Sequence, residues 1–145
     1  MKSNLFKISL SLLLLMVASF SFAQTPSDIQ FEKKVQKFRK VDEGHRITLN
    51  YVFTNNSNYT LTLVPPKVDC SCTVVIIPEH KIKPNSSDTI TVKFDTKNKI
   101  GYQDRDILLK FIPDEKPQAP IDTKITFKGM VKATKESKAV YKKEH

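Results

Sequence analysis

The chain is 145 residues long and carries a net charge of +9, with only three glycines and two cysteines. This length is enough for one domain with its own core. From residue 24 onward the chain contains 33 Val, Ile and Thr residues against five Leu and three Ala. Because β-branched residues favour strands and the strong helix formers are scarce, a helical bundle is excluded. Gly44, Gly101 and Gly129 lie too far apart to build a glycine-rich phosphate-binding loop, which excludes a nucleotide-binding loop.

The first 23 residues are typical of a secretory signal peptide. Two lysines precede an apolar run, and the small residues Ser21 and Ala23 fit a signal-peptidase site. The run is shorter than the roughly 20 residues that a membrane helix needs, and no cysteine follows it for lipid attachment. We therefore expect a signal peptide over 1–23, a flexible lead over 24–28, and export to the periplasm or beyond. That compartment is oxidising, and the mature chain is not expected to span a membrane.

Alternation of apolar and polar residues predicts strands along the first half of the mature chain. The pattern begins at 29–31 and is clearest at 46–54. An Asn-rich turn over 55–58 predicts a hairpin into a strand over 61–63, because Asn tolerates positive φ. The two prolines at 65–66 must end that strand, since proline cannot donate a ladder hydrogen bond.

The second half continues the pattern and then changes character. Apolar residues predict strands within 68–77, 89–94, 107–111 and 125–131. The segment 132–145 is rich in lysine and poor in apolar residues, which predicts a basic, disordered tail.

About seven strand candidates, with turn signals roughly every 8–12 residues, predict an all-β, Ig-like antiparallel β-sandwich over 29–131. Its expected core consists of the inward-facing residues of the alternating segments. These residues are Ile47, Leu49, Tyr51, Phe53, Ile90, Val92, Phe94, Ile107, Leu109, Phe111, Ile125 and Phe127.

Five separated segments resemble a bacterial exported family of unknown function with a Cys-Gly-Cys-Thr signature. The matching segments are Val68–Thr73, Ile82–Asn85, Ile90–Thr96, Gly101 and Ile125–Val131. That family has an Ig-like fold related to ASH/HYDIN-type domains and, more distantly, to major sperm protein. The resemblance implies this fold and an export route, and it implies no catalytic residues.

The chain departs from the family pattern at two positions. Ser71 replaces the glycine between the cysteines, and Asn85 replaces a glycine that follows Pro84. Because Asn tolerates positive φ and Pro84 suits the preceding position, a type II turn is still expected there. Ser71 fits less well if its position needs a conformation that only glycine adopts.

No arrangement of side chains predicts catalysis. His45 and His80 fall in predicted loops and His145 lies in the tail, without a serine or cysteine in a nucleophile setting. Asp104 and Asp106 share one face of a strand, where solvent-facing charge is the ordinary explanation. We expect a protein that is not an enzyme.

Cys70 and Cys72 are the only cysteines. In an oxidising compartment they pair with each other, pair between chains, bind metal or remain shielded thiols. In an extended strand their Cα atoms would be about 6.6 Å apart, near the upper limit for a disulfide, so a bridge requires a bend. We expect an intrachain disulfide with a local role. The alternative is a thiol-redox or copper-binding module centred on the pair, with His80 or Met130 as a further ligand.

Basic residues crowd two segments, 33–40 and 132–143. Export argues against a nucleic-acid partner, so a solvated basic surface is the expected explanation. We therefore expect an exported, non-enzymatic, monomeric Ig-like module without a cofactor or metal. It would bind a protein or cell-envelope component through its sheet edges or end loops.

Overall fold

The computed structural model describes residues 27–68, 70–115 and 118–144. The expected signal peptide and most of the expected lead over 24–28 lie outside the described residues. Within the described ranges the chain forms nine strands and one helix. They are β1 (Ile29–Phe31), β2 (Val35–Lys37), β3 (Val41–Asp42), β4 (Arg46–Asn55), β5 (Leu61–Val64), β6 (Thr73–Ile76), β7 (Ser87–Asp95), β8 (Gly101–Pro113), β9 (Ile121–Lys132) and α1 (Lys135–Glu144).

The strands form two sheets. The first sheet has the order β1-β4-β7-β6, and the second has the order β2-β9-β8-β5, with β3 also paired to β9. All pairings are antiparallel except those of β2 and β3, which run parallel to β9. The predicted all-β, Ig-like sandwich is confirmed, with nine strands where about seven were expected. The hairpin predicted between β4 and β5 is wrong, because the turn after β4 leads the chain into the other sheet, where β5 pairs with β8.

Inward-facing apolar side chains of both sheets form the core, as the alternation predicts. Eleven of the twelve residues expected there are buried, and Ile47 is half-buried against them. Aromatic rings join the two sheets: the centroids of Phe53 and Phe111 are 5.3 Å apart, and those of Phe94 and Phe127 are 5.1 Å apart. Such pairs contribute about 0.5–1.5 kcal/mol beyond the area they bury.

Phe38 holds the segment between β2 and β3 against the second sheet. Its ring lies across Gly129 of β9, where a Cβ atom would come within 2.5 Å of the ring carbons. The ring also packs on Phe94, with centroids 6.2 Å apart. Glycine is therefore required at this position because the ring occupies the space of a side chain.

The turn before β7 has the predicted form. Asn85 has a φ of 57°, and the Ser86 amide donates to the Lys83 carbonyl at 3.2 Å. Pro84 thus occupies the second turn position and Asn85 the third, as in a type II turn. The replacement of the family's glycine by asparagine is tolerated for the reason expected.

The tail differs from the expectation of disorder, because residues 135–144 form the helix α1. Thr134 caps its start: the Ser137 amide donates to the Thr134 hydroxyl at 3.2 Å. Glu136 lies in the first turn, where an acidic side chain is favoured by the helix dipole. The Ser137 hydroxyl also donates to Glu43, which joins the helix to the loop after β3. The prediction of disorder was based on lysine content and did not take this helix cap into account.

Tyr51 connects the sheets by a buried hydrogen bond. The residue is fully buried, and its hydroxyl donates to the Thr126 carbonyl of β9 at 2.8 Å. Burial raises the pKa of Tyr51 well above its ordinary value of 10.0, because the phenolate would lose its hydration.

We predict that Tyr51→Phe lowers the free energy of unfolding by about 1–2 kcal/mol at pH 7, because the Thr126 carbonyl loses its donor. Above pH 10 the unfolded chain ionises at Tyr51 while the folded chain does not, so the native protein loses stability that the variant retains. The difference between the two proteins should therefore shrink as the pH rises from 9 to 11, measured by urea unfolding. Tyr102→Phe, at an exposed tyrosine, should leave the free energy unchanged at pH 7. A difference that stays constant up to pH 11 would contradict this account.

Candidate functional site

The second sheet has an open edge along most of β8. On one side, β9 pairs with β8 from Gly101 to Phe111. On the other side, β5 pairs only with Lys110–Pro113. The stretch Gly101–Leu109 therefore has a strand on one side only. The cause is in the sequence: β5 ends at Val64, and the two prolines that follow cannot donate to a ladder.

Alternate residues of a strand turn their N–H and C=O groups to opposite sides, so about half of those in 101–109 point away from β9. Among the described residues, no backbone hydrogen bond joins the loop after β5 to this stretch. One side-chain contact reaches it, from the Gln103 amide to the Gly101 carbonyl at 3.5 Å. The edge thus presents unpaired backbone groups to solvent, which is the feature that accepts an added strand.

A cleft of about 480 Å³ lies beside this edge, between the two sheets. Residues 104–108 of β8 form one wall, and Lys67, Val68, Cys70 and Thr73 form the other. The buried ring of Phe127 forms its floor. The cleft therefore combines an unpaired strand with a lining of both charged and apolar side chains.

Cys70 lines the cleft, and Cys72 lies beside it in the chain, facing a different hollow. Their sulfur atoms are at bonding distance, and their Cα atoms are 5.2 Å apart, closer than in an extended strand. The bend comes from a turn in which the Thr73 amide donates to the Cys70 carbonyl at 3.1 Å. The Asp95 amide donates to the Cys72 carbonyl at 2.8 Å, which ties the turn to β7. The arrangement thus has the bend that a disulfide requires.

Ser71 adopts an ordinary backbone conformation. The non-glycine residues with positive φ in the described chain are Asn85 and Asn98. The position between the cysteines therefore does not need glycine here. Ser71 also lines a second open hollow, on the outer face of the first sheet, together with Cys72, Val74 and Lys93.

Arg105 is a charged residue in the inward register of β8, and the sequence analysis did not single it out. Its guanidinium lies 5.5 Å from the centroid of the Phe94 ring. Its Nε and Nη2 groups donate to Oε1 of Gln103 at 3.2 and 3.0 Å. Gln103 and Arg105 lie on the same face of β8 as the buried Ile107 and Leu109. The presence of polar residues at these inward positions was the signal that could have identified them.

The two aspartates of β8 face outward, as expected for solvent-facing charge. Asp104 pairs with Lys128 at 2.9 Å, and Asp106 pairs with Lys124 at 2.7 Å. Hydrogen bonds from Lys124 and from the Thr126 hydroxyl hold the pKa of Asp106 below its ordinary value. Both carboxylates are thus paired with lysines of β9, and both aspartates are among the residues that line the cleft.

The histidines have local contacts. His45 Nδ1 lies 2.9 Å from the Asp42 carbonyl, and His80 Nε2 lies 2.8 Å from an Asp88 carboxylate oxygen. His145 lies outside the described residues. In the described part of the chain, no group of three or more His, Cys, Asp and Glu residues is placed to hold a metal ion. No helix there has the length and apolar character that crossing a membrane requires.

The two sheets form an Ig-like sandwich, and solved structures share this fold. A PapD-like domain of human CEP192 matches with a TM-score of 0.61 at 10% identity, covering 79% of this chain and 94% of that one. The periplasmic chaperone SfaE matches with a TM-score of 0.53 at 15% identity, covering 71% of this chain and 57% of SfaE. The VesB protease of Vibrio cholerae matches with a TM-score of 0.59 at 12% identity, covering 72% of this chain and 32% of VesB. The chain thus spans about half of SfaE and a third of VesB, and these likenesses establish the fold.

The family pattern of DUF1573, a protein of unknown function, matches residues 29–131. The chain therefore belongs to the DUF1573 family, which agrees with the resemblance found in the sequence. No curated protein matches the chain by sequence.

We predict a distinctive pattern of amide hydrogen exchange along β8 in the isolated protein. Within 101–109, slowly and rapidly exchanging amides should alternate, with rates that differ by about tenfold or more, because only one side of the strand is paired. The amides at 110–112, where β8 is paired with β5 and, up to Phe111, also with β9, should all exchange slowly. Residue-resolved exchange measured by NMR tests this. Uniform protection from 101 to 112 would show that the edge is covered.

Proposed function

We propose that this protein is an exported, non-enzymatic Ig-like module that binds a protein or cell-envelope partner. Binding occurs when an extended segment of the partner adds to the open edge of β8. The observation that carries the proposal is the difference in length between β8 and β5, which leaves Gly101–Leu109 unpaired on one side. Strand addition supplies main-chain hydrogen bonds, and pockets for alternate side chains add selectivity.

The surroundings of the edge support this mode of binding. Leu108 is 70% exposed and Val68 is 37% exposed, so apolar groups flank the backbone groups of the cleft. The similarity to a periplasmic chaperone supports a role in which the fold receives another polypeptide. Each added backbone hydrogen bond contributes about 0.5–1.5 kcal/mol, so four or five of them with buried apolar contacts give useful affinity.

The signal-peptide pattern over 1–23 supports export to the periplasm or medium. In that location a nucleic-acid partner is disfavoured, and the basic residues form a solvated surface. The absence of catalytic spacing in the sequence supports a binding role, and we propose a monomer that acts without a cofactor.

Photo-crosslinking in the native envelope tests the proposal. A photoreactive residue is placed at Leu108, beside the cleft, or at Val35, which is 49% exposed at the opposite edge of the same sheet. Leu108 should give a protein adduct several-fold more often than Val35, and mass spectrometry should locate the adduct in an extended segment of the partner. Equal adduct formation at the two positions, or a preference for Val35, would contradict binding at β8.

The second candidate is a thiol-redox module, and one observation favours it. Cys70 lines the same cleft, so a bound segment would pass close to its sulfur. A copper site centred on the pair has no further support, because His80 pairs with Asp88. Thiol titration with and without reductant, together with metal analysis of the exported protein, separates a disulfide from free thiols and from a metal site.

We predict that the double variant Cys70→Ser, Cys72→Ser remains folded and monomeric. The loop closed by the bond contains three residues, for which chain entropy assigns only about 1–2 kcal/mol. The melting temperature should therefore fall by less than about 10 °C. Partner crosslinking from Leu108 should persist in this variant if binding uses the edge, and it should be lost if the thiols carry the function.

A further inference from the structure

Arg105 is a cation placed on the inner side of the sandwich. It lines the cleft, and its side chain points the same way as the buried Ile107. Taking a guanidinium partly out of water is costly unless charged or hydrogen-bonded groups compensate. Arginine in such a position is therefore expected to have a purpose beyond packing.

The described partners of Arg105 are neutral. They are the Gln103 amide oxygen and the face of Phe94. None of the seven ion pairs among the described residues includes Arg105. The two contacts with Gln103 use two of the five N–H donors of the guanidinium, which leaves three for a ligand.

The charges around the cleft favour an anionic occupant. Lys67 is a second cation in its wall, and the two aspartates that also line it, Asp104 and Asp106, are each paired with a lysine. The guanidinium fork matches a carboxylate, and its low hydration makes it suited to a partly buried ion pair. A carboxylate that enters the cleft would therefore complete the coordination of Arg105.

The position of Arg105 indicates where that carboxylate lies in the ligand. Arg105 is at the middle of the unpaired stretch, so a strand added there extends beyond it on both sides. Residues directly opposite each other on paired strands place their side chains on the same face. The side chain opposite Arg105 thus points into the cleft, and the next inward one faces the apolar Ile107. Because the strand continues in both directions, this carboxylate belongs to a side chain within the segment.

We propose that Arg105 binds an Asp or Glu side chain of the extended segment that adds to β8. The inference rests on the proposed function and specifies its partner. The preferred segment alternates inward residues, with an acidic one opposite Arg105 and an apolar one opposite Ile107. Gln103 holds the guanidinium in place and is a positioning residue.

The probes are three synthetic peptides. The first is acetyl-Thr-Val-Thr-Glu-Thr-Val-Thr-amide, the second has Gln in place of Glu, and the third is the Gln peptide with a free terminal carboxylate. Binding to the native protein is measured by NMR titration, which also shows whether the amides of 101–109 are the ones that change. The Glu peptide should bind about tenfold or more tightly than the Gln peptide, because charge-assisted hydrogen bonds are stronger than neutral ones.

Two variants test the role of Arg105. Arg105→Gln should remove the preference for Glu while the β8 amides still respond to both peptides. Gln103→Glu keeps the arginine but places a carboxylate beside it, and it should remove the same preference. This second variant keeps the test decisive if the first one fails to fold. Arg46→Gln, at an arginine whose side chain is 85% exposed, is the control and should retain the preference.

Each other outcome overturns the proposal in an identifiable way. If both capped peptides bind equally at β8, the edge accepts a strand but Arg105 does not select a carboxylate. If only the free-acid peptide gains affinity through Arg105, the ligand group is a chain terminus and the assignment to a side chain is wrong. If the Glu preference survives in both variants, it arises elsewhere. If no peptide changes the β8 amides, both this inference and strand addition fail.

Discussion

Packing of aromatic rings across the sandwich is the interaction on which the rest of the structure depends. Phe53 meets Phe111, and Phe94 meets Phe127, so each contact joins a strand of one sheet to a strand of the other. These rings come from the long central strands β4, β7, β8 and β9. The short strands at the margins add further buried side chains to this core, among them Ile29 of β1 and Leu61 of β5. The aromatic contacts between the sheets thus lie on long strands, whereas the marginal strand β5 is only four residues long.

The contrast between long central strands and short marginal strands also explains why a charged side chain can lie inside the sandwich. Near Phe111 the gap between the sheets is filled by apolar side chains. Near Gly101 no strand flanks β8 on the β5 side, and the inward positions are held by Gln103 and Arg105. Water that reaches the open cleft lowers the cost of keeping the guanidinium there. The polarity of the inner face therefore changes along β8 from apolar to polar as its second neighbour ends.

Much of the fold could be predicted from the sequence, and the reason is local. Strands such as Arg46–Asn55 and Ser87–Asp95 alternate strictly, so their inward residues are evident without knowledge of their partners. The parallel pairing of β2 and β3 with β9 was not predicted, because alternation can identify a strand but not its partner. The helix α1 was missed because its cap, Thr134, lies in a segment judged by its lysine content.

The candidate site was less predictable than the fold, since it depends on relations between distant segments. Pro65 and Pro66 indicated where β5 ends, but the open stretch appears only when β5 is placed against β8. Arg105 was visible as a charge in an apolar register, yet alternation alone treats such a residue as an exception. The cysteine pair was identified from spacing, but the position of Cys70 in the cleft wall follows from the turn that ends at Thr73.

The parallel strands β2 and β3 have a further consequence for assembly. They cover β9 on the side opposite β8 with strands of only three and two residues, so the long unpaired stretch of the second sheet lies at one margin. A sheet with two free margins can be extended at both and leads to chains of molecules. Here only the margin at β8 offers a long unpaired stretch. One partner segment should accordingly bind to each β8 edge, and its binding should prevent the association of further molecules at that edge.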